Sequence, residues 1–215
     1  MRLAFVAPST RHPSGGVAVI YELAAAMARR GHDVDVYHVD MFDGGISSVG
    51  DIGWFTFPDG LVHHFGSDRV GEGGLSVPDV IFGFSLDGGM PDHAGLPVAL
   101  IQGYKMFVKE IEHRAYRAPC PKVCVASWLV DVGRELGVPA DELVHVPIGI
   151  HHDRFRTTRP LTPRPRRVSF CYSTHAQKRA ELAIEVLARV KAQEPDVEVV
   201  AFGAIRPEAG LPDWI

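Results

Sequence analysis

Short apolar runs alternate with helical stretches along most of this 215-residue chain, and that alternation limits the fold more than any other feature. The run Leu3-Ala4-Phe5-Val6-Ala7 is closed by Pro8 and suits a strand buried on both faces of a parallel sheet. A polar loop, Ser9 to Gly16, leads into a helical pattern over 17–30, with apolar residues at 20, 23, 24 and 27 and Gly31 past its end. Residues 32–37 read as the second strand, which completes a βαβ unit of the right-handed kind. Strand patterns return at 79–84, 97–101, 122–126 and 143–147, and helical patterns at 105–116 and 128–136, the latter capped by Ser127 and ended by Gly137. Between 40 and 78 glycines recur and apolar runs such as Trp54-Phe55-Thr56-Phe57 are short, so irregular strands and loops are expected there. The pattern predicts an α/β fold, a doubly wound, parallel-sheet, Rossmann-like domain over residues 1–150.

Residues 151–167 read as an interdomain linker, since 153–167 hold six arginines and three prolines with little periodic apolar content. A second βαβ start follows over 168–215, with strands at 168–172 and 197–202 and a helix at 178–194 whose apolar face is 182, 183, 186, 187 and 190. Two strands and one helix are too little to bury both faces of a parallel sheet, so this domain is expected either to be incomplete here or to pack against the first domain or another chain.

Composition supports a folded chain: 46% of residues are hydrophobic and 22% charged. A net charge of -4 gives no basic field for nucleic acid. Cys120, Cys124 and Cys171 are odd in number, the 120/124 spacing is neither CxxC nor a zinc ladder, and the three read as buried or free thiols in a reducing cytoplasm. The N-terminal apolar run is too short for a signal segment, and no run approaches the ~18–20 apolar residues of a membrane span.

Three blocks, in order, carry a resemblance. The first is Met1 to Pro8, the loop ending Gly15-Gly16-Val17, and the helix end Arg29-Arg30-Gly31-His32-Asp33-Val34. The second runs from Val125-Ala126-Ser127-Trp128 through Leu136-Gly137-Val138-Pro139 to Val144-His145-Val146-Pro147-Ile148-Gly149-Ile150 and Phe155. The third is the βαβ from Tyr172 to Gly203. Together they resemble the retaining, GT-B-fold "group 1" (family 4-like) glycosyltransferases, and Ile101-Gln102-Gly103-Tyr104 looks more like the branch that includes bacterial rhamnosyltransferases than like members carrying a histidine at this strand end. The resemblance implies an acceptor-side first domain and a nucleotide-sugar-binding second domain whose C-terminal part lies beyond this chain.

Gly15 and Gly16 stand at a helix N-terminus, where N–H groups and the macrodipole favour a phosphate. GxGxxG is absent after the first strand and GxxxxGK[ST] is absent throughout, so an ordinary dinucleotide enzyme or P-loop NTPase has no direct support. In the loop Ser173 to Arg179, Lys178 matches the family's diphosphate lysine. The family's Gly-Arg pair is missing, with Ser173-Thr174 at about its place, and Arg179 is the second candidate cation. Gln102, at a strand end, is the candidate catalytic residue, orienting donor or acceptor. Asp87 and Asp92, beyond the preceding strand, are acceptor candidates, although turns use the same residue types.

No metal site is expected. Asp33-Val34-Asp35 reads as a half-exposed strand with its carboxylates outward, and His63-His64 and His151-His152 read as surface histidines. The resemblance implies sugar transfer from a nucleotide diphosphate sugar, a co-substrate with no further cofactor, to an acceptor hydroxyl on a glycan, lipid-linked or small molecule, with retention and without a metal. The expected location is the cytoplasm; the arginines of the linker leave open peripheral contact with the inner membrane face. The competing expectation is a non-catalytic or split sugar-nucleotide-binding half that needs a partner chain.

Overall fold

The computed structural model describes residues 1–39, 45–66, 77–83, 95–105, 109–158, 160, 162, 164–207 and 210–215. Two compact units divide the chain, Met1–Gly149 and Ile150–Ile215.

The larger unit is built on a seven-stranded, all-parallel sheet. Its strands are β1 (Arg2–Pro8), β2 (Asp33–Val39), β3 (Leu61–Phe65), β4 (Val80–Gly83), β5 (Leu96–Ile101), β6 (Lys122–Cys124) and β7 (Leu143–His145). Their spatial order is β3-β2-β1-β4-β5-β6-β7. The chain thus builds outward from β1 in one direction, returns to the middle, and builds outward in the other. Helix α1 (Gly15–Arg29) packs on one face through Val17, Ile20, Tyr21, Ala24 and Ala25, the i, i+3, i+4, i+7 stripe of an amphipathic helix. That stripe meets Leu3, Phe5 and Ala7 of β1 and Val34 and Val36 of β2. Alternate residues point the other way, where Ala99, Ile101 and Cys124 pack with Tyr116 of α2 (Lys109–Arg117) and Leu129 and Val130 of α3 (Ser127–Glu135). Both faces of β5 are therefore apolar, which is why that strand reads as an unbroken hydrophobic run. The doubly wound, Rossmann-like α/β fold is as the sequence predicts.

Two expectations need correction. Residues 61–65 form a regular edge strand, β3, where irregular chain was expected. Gly60 and Gly66, both at positive φ, clip the strand to five residues, and His63-His64 break the apolar pattern by which it would be recognised. Ser127 is the first residue of α3, not its cap; Ala126 occupies the N-cap position and makes no side-chain cap bond. Gly137, at φ +80°, does end that helix as expected.

In the smaller unit β8 (Arg167–Cys171) pairs in parallel with β9 (Glu198–Phe202), and α4 (Ala180–Gln193) connects them. Its core is Leu187, Val197 and Val199, against Phe170, Trp214 and Ile215. The expected apolar face of α4 is covered in part: Leu187 is buried and Ala183 and Val190 half-buried, while Leu182 is 54% and Val186 48% exposed.

Candidate functional site

In a doubly wound sheet the loops leaving the carboxyl ends of neighbouring strands part company where the strand order reverses, and ligands bind in the crevice left there. Here the reversal lies between β1 and β4. The chain leaving β1 is tightly held. Ser9 is buried and gives both its N–H and its hydroxyl to the Val39 carbonyl, at 2.8 and 2.9 Å. The Trp54 indole N–H donates to the Thr10 carbonyl at 2.8 Å, and the Arg11 guanidinium reaches Asp51 and the Gly45 carbonyl. Asp51 is itself fixed by the N–H groups of Ser47 and Ser48 and the Ser48 hydroxyl, bonds that hold its carboxyl down at about 2.

This loop delivers Gly15 and Gly16 to the start of α1. Ser14, the N-cap residue, is extended and makes no side-chain cap bond. The first intrahelical N–H is that of Ala18, bonded to the Ser14 carbonyl at 2.8 Å, so helix geometry gives the N–H groups of Gly15, Gly16 and Val17 no carbonyl beneath them. Gln102 meets the same helix end from β5: its Nε2 donates to the Gly16 carbonyl at 3.0 Å, and its Oε1 would lie 3.6 Å from a Cβ added at Gly16. The structure thus brings together three expected site residues, with Gln102 standing 86 positions from Gly16 in sequence. Chemically, the result is a cluster of backbone donors on the positive end of a helix dipole, beside an amide that can donate or accept.

Beyond Gln102 lies a polar cluster that the sequence did not reveal. The buried Glu112 carboxylate accepts the Lys105 N–H at 2.8 Å, and Lys105 stands at φ +62°. The Tyr104 hydroxyl lies 3.0 Å from His113 Nε2. The spacing of these residues matches no motif, so nothing short of the fold would pair them. Asp87 and Asp92 lie outside the described residues.

In the smaller unit Thr174, Lys178 and Arg179 are all exposed on the chain between β8 and α4. Lys178 ends a 3-10 turn, Ala176–Lys178, and Arg179 follows in the left-handed region at φ 50°, so the expected start of the helix at 178 is corrected to Ala180. The two cations border an apolar depression of about 350 Å³ whose lining includes Val168, Phe170, Leu182 and Val186.

The readings of the remaining polar residues change. Asp35 is not outward: it is 3% exposed and takes hydrogen bonds from Arg2 Nε at 3.0 Å and His64 Nε2 at 2.8 Å. His64 is buried and His63 half-buried, because β3 lies in register against β2, with His63 opposite Val36 and His64 opposite Tyr37. His63 points to the α1 face, where its Nδ1 lies 2.9 Å from Nε2 of the buried His38; that ring in turn has Tyr21 as partner. Burial, reinforced by His63 and His64, pushes the His38 pKa down to about 3, and burial also lowers that of His63. His38 could have been found in the sequence, since it continues the inward alternation of Val34 and Val36. Among the described residues no three His, Cys, Asp or Glu side chains converge as metal ligands would, and no helix is long and apolar enough to cross a membrane.

No family model matches the chain, and no curated protein sequence matches it. Among solved structures it is similar to a glycosyltransferase from Rickettsia africae ESF-5, with a TM-score of 0.55 and 13% sequence identity, over 95% of this chain and 68% of that one. At that identity the likeness is one of fold, and it places this chain among Rossmann-like α/β proteins.

Proposed function

We propose that the chain belongs to a metal-independent, retaining glycosyltransferase of GT-B type, which moves a sugar from a nucleotide diphosphate sugar to an acceptor hydroxyl. The observation that carries this reading is the uncapped N-terminus of α1 at the strand-order reversal, with Gln102 bonded to Gly16 beside it. The fold likeness to a solved glycosyltransferase supports it. In this reading residues 1–150 are the acceptor side, 151–167 the linker, and 168–215 the start of the nucleotide-sugar domain.

The chemistry asks for stabilised charge. As the anomeric C–O bond breaks, the sugar becomes oxocarbenium-like and the diphosphate leaves with added negative charge, which oriented N–H groups and cations can stabilise. Gly15 and Gly16 supply such N–H groups in the larger unit, and Lys178 and Arg179, with the Thr174 hydroxyl, supply cations and a donor in the smaller. Gln102 positions the donor or acceptor through its amide. Asp87 and Asp92 are proposed for the acceptor. A second reading, a non-catalytic half that binds the sugar nucleotide with a partner chain, draws on the uncovered Leu182 and Val186 of α4.

Calorimetric titration with nucleotide diphosphate sugars and with the matching nucleosides tests the assignment. Lys178→Ala should weaken binding of the diphosphate sugar by about 10- to 100-fold, the loss of one charge-assisted contact, and leave nucleoside binding unchanged. Equal loss for both ligands removes Lys178 from the phosphate. Turnover that survives excess chelator supports the metal-free reaction, and binding without turnover at any acceptor favours the second reading.

A further inference from the structure

Tyr21 of α1, His38 of β2 and His63 of β3 form one chain of side chains across three elements. The Tyr21 hydroxyl lies 3.2 Å from His38 Nδ1, and His38 Nε2 lies 2.9 Å from His63 Nδ1. Tyr21 and His38 are buried, and the walls around them are rings: Trp54, Phe55 and Phe57 on Tyr21, Phe57 and Phe65 on His38. Among the described residues, the ion pair of Arg2 with Asp35 and the His64–Asp35 hydrogen bond lie on the opposite face of the sheet, where Tyr37 stacks on His64, and Glu22 follows Tyr21 on α1.

Counting protons gives this chain a direction. A neutral imidazole has one N–H and one lone pair, and a buried phenol keeps its hydrogen. All partners are satisfied when Tyr21 donates to His38 Nδ1, His38 Nε2–H donates to His63 Nδ1, and His63 carries its hydrogen on Nε2. One added proton has two places to go. On His63 it occupies Nδ1, so His38 must offer a lone pair at Nε2 and move its own hydrogen to Nδ1. On His38 it occupies Nδ1 directly. Either way Nδ1 of His38 changes from acceptor to donor, and the Tyr21 hydroxyl hydrogen loses its acceptor within a wall of aromatic rings.

We propose that the Tyr21–His38–His63 chain is an acid-sensitive latch on α1, in which uptake of one proton reverses the Tyr21–His38 hydrogen bond, strands the phenol hydrogen and so weakens the tie from α1 to β2 and β3. The latch concerns the packing of α1 and stands whatever ligand the N-terminus of that helix meets.

The test combines imidazole ¹H–¹⁵N correlation spectra with amide hydrogen-exchange protection along α1, on the whole chain between about pH 8 and pH 5. At the alkaline end both His38 and His63 should show the Nε2–H tautomer. On acidification the protection of residues 17–28 should fall, approaching tenfold per pH unit for a single linked proton, while β6 keeps its protection. His38→Gln, whose amide can accept from Tyr21 and donate to His63 without titrating, should flatten the acid dependence. Tyr21→Phe, which has no hydroxyl to strand, should reduce it and serves if the first variant does not fold. An Nδ1–H tautomer at His38 near pH 8, pH-independent protection of α1 in the unmodified chain, or an undiminished acid dependence in Tyr21→Phe would each overturn the latch.

Discussion

The two units begin with the same motif, a strand, a loop with candidate phosphate contacts and a helix, yet they bury it to very different depths. Helix α1 sinks five residues into its unit, among them Tyr21 and Ala24 at 0% exposure. Helix α4, only one residue shorter, buries two, Ala180 and Leu187. The sequences of the helices do not explain this, since both carry an apolar stripe. The number of strands beneath them does: β1 has a partner on each side, and among the described residues β8 pairs with β9 alone. A βαβ unit acquires its core from its neighbours, so the same local pattern is worth more in a wide sheet than in a narrow one.

The contrast is broken most directly by cavities. Ile81→Ala, in the centre of the wide sheet and packed with Ala4 and Tyr37, should cost about 3–4 kcal/mol. Leu187→Ala in the smaller unit should cost about 2 kcal/mol or less, because a half-open core collapses around the lost atoms. Hydrogen exchange resolved by unit reads both, and equal costs would mean that α4 is better packed than its exposure implies.

Ion pairs should divide the units in the same way. Lys122, 1% exposed, is held by Glu142 and the Ala118 carbonyl. Glu142→Gln leaves that ammonium buried without its counter-charge and should cost about 2–3 kcal/mol, toward the low end for such pairs because Glu142 is partly exposed. In the smaller unit Arg166–Glu194 and Arg167–Glu198 are exposed pairs, and Glu194→Gln should leave the denaturation midpoint unchanged within error.

Acid should also act on one unit. His38 titrates at about 3 in the fold against 6.5 for an ordinary histidine. The unfolded chain therefore binds a proton that the folded one refuses, so stability is present above pH 6.5 and is lost as pH falls below it. Between pH 6.5 and 5 the loss should be about 1.5–2 kcal/mol in the larger unit, removed by His38→Gln. The smaller unit buries no histidine among its described residues, so its unfolding midpoint should move less than that of the larger unit over that range. Parallel responses in the two units would remove His38 as the cause.

The sequence was most readable where burial on both faces writes an unbroken apolar run, as in β1, β4 and β5. It was least readable where polar side chains are buried by tertiary pairing. Asp35 appears outward in any alternation pattern, and only Arg2 and His64, 33 and 29 positions away, make its burial tolerable. β3 was hidden for the same reason, since its two histidines are the very groups that Asp35 and His38 satisfy. At the candidate site Gly15-Gly16 was legible as a helix start and Gln102 as a strand end. Their hydrogen bond is a property of the β1-β4-β5 order, which no local pattern encodes.

The smallest expected effect on stability is the most informative about function. Gly16 is helical, its φ is not in the left-handed region, and an added Cβ would meet only the Gln102 amide at ordinary contact distance. The unliganded fold therefore gives alanine room, and alanine in place of glycine in a helix is worth about 0.5–1 kcal/mol in favour of folding. Were the glycine there for the fold, Gly16→Ala should be silent or mildly stabilising in every assay. Under the phosphate reading the same Cβ sits where a ligand must approach the N–H groups of Gly15, Gly16 and Val17. In that case kcat/KM should fall at least about tenfold, ~1.4 kcal/mol of transition-state stabilisation, while the melting temperature holds or rises by a few degrees. Gly15→Ala, whose Cβ would meet nothing within 4 Å, supplies the control one residue away. A loss of activity at 16 larger than at 15 places the ligand on the Gln102 side of the helix end, whereas full activity in both variants withdraws the phosphate from this loop.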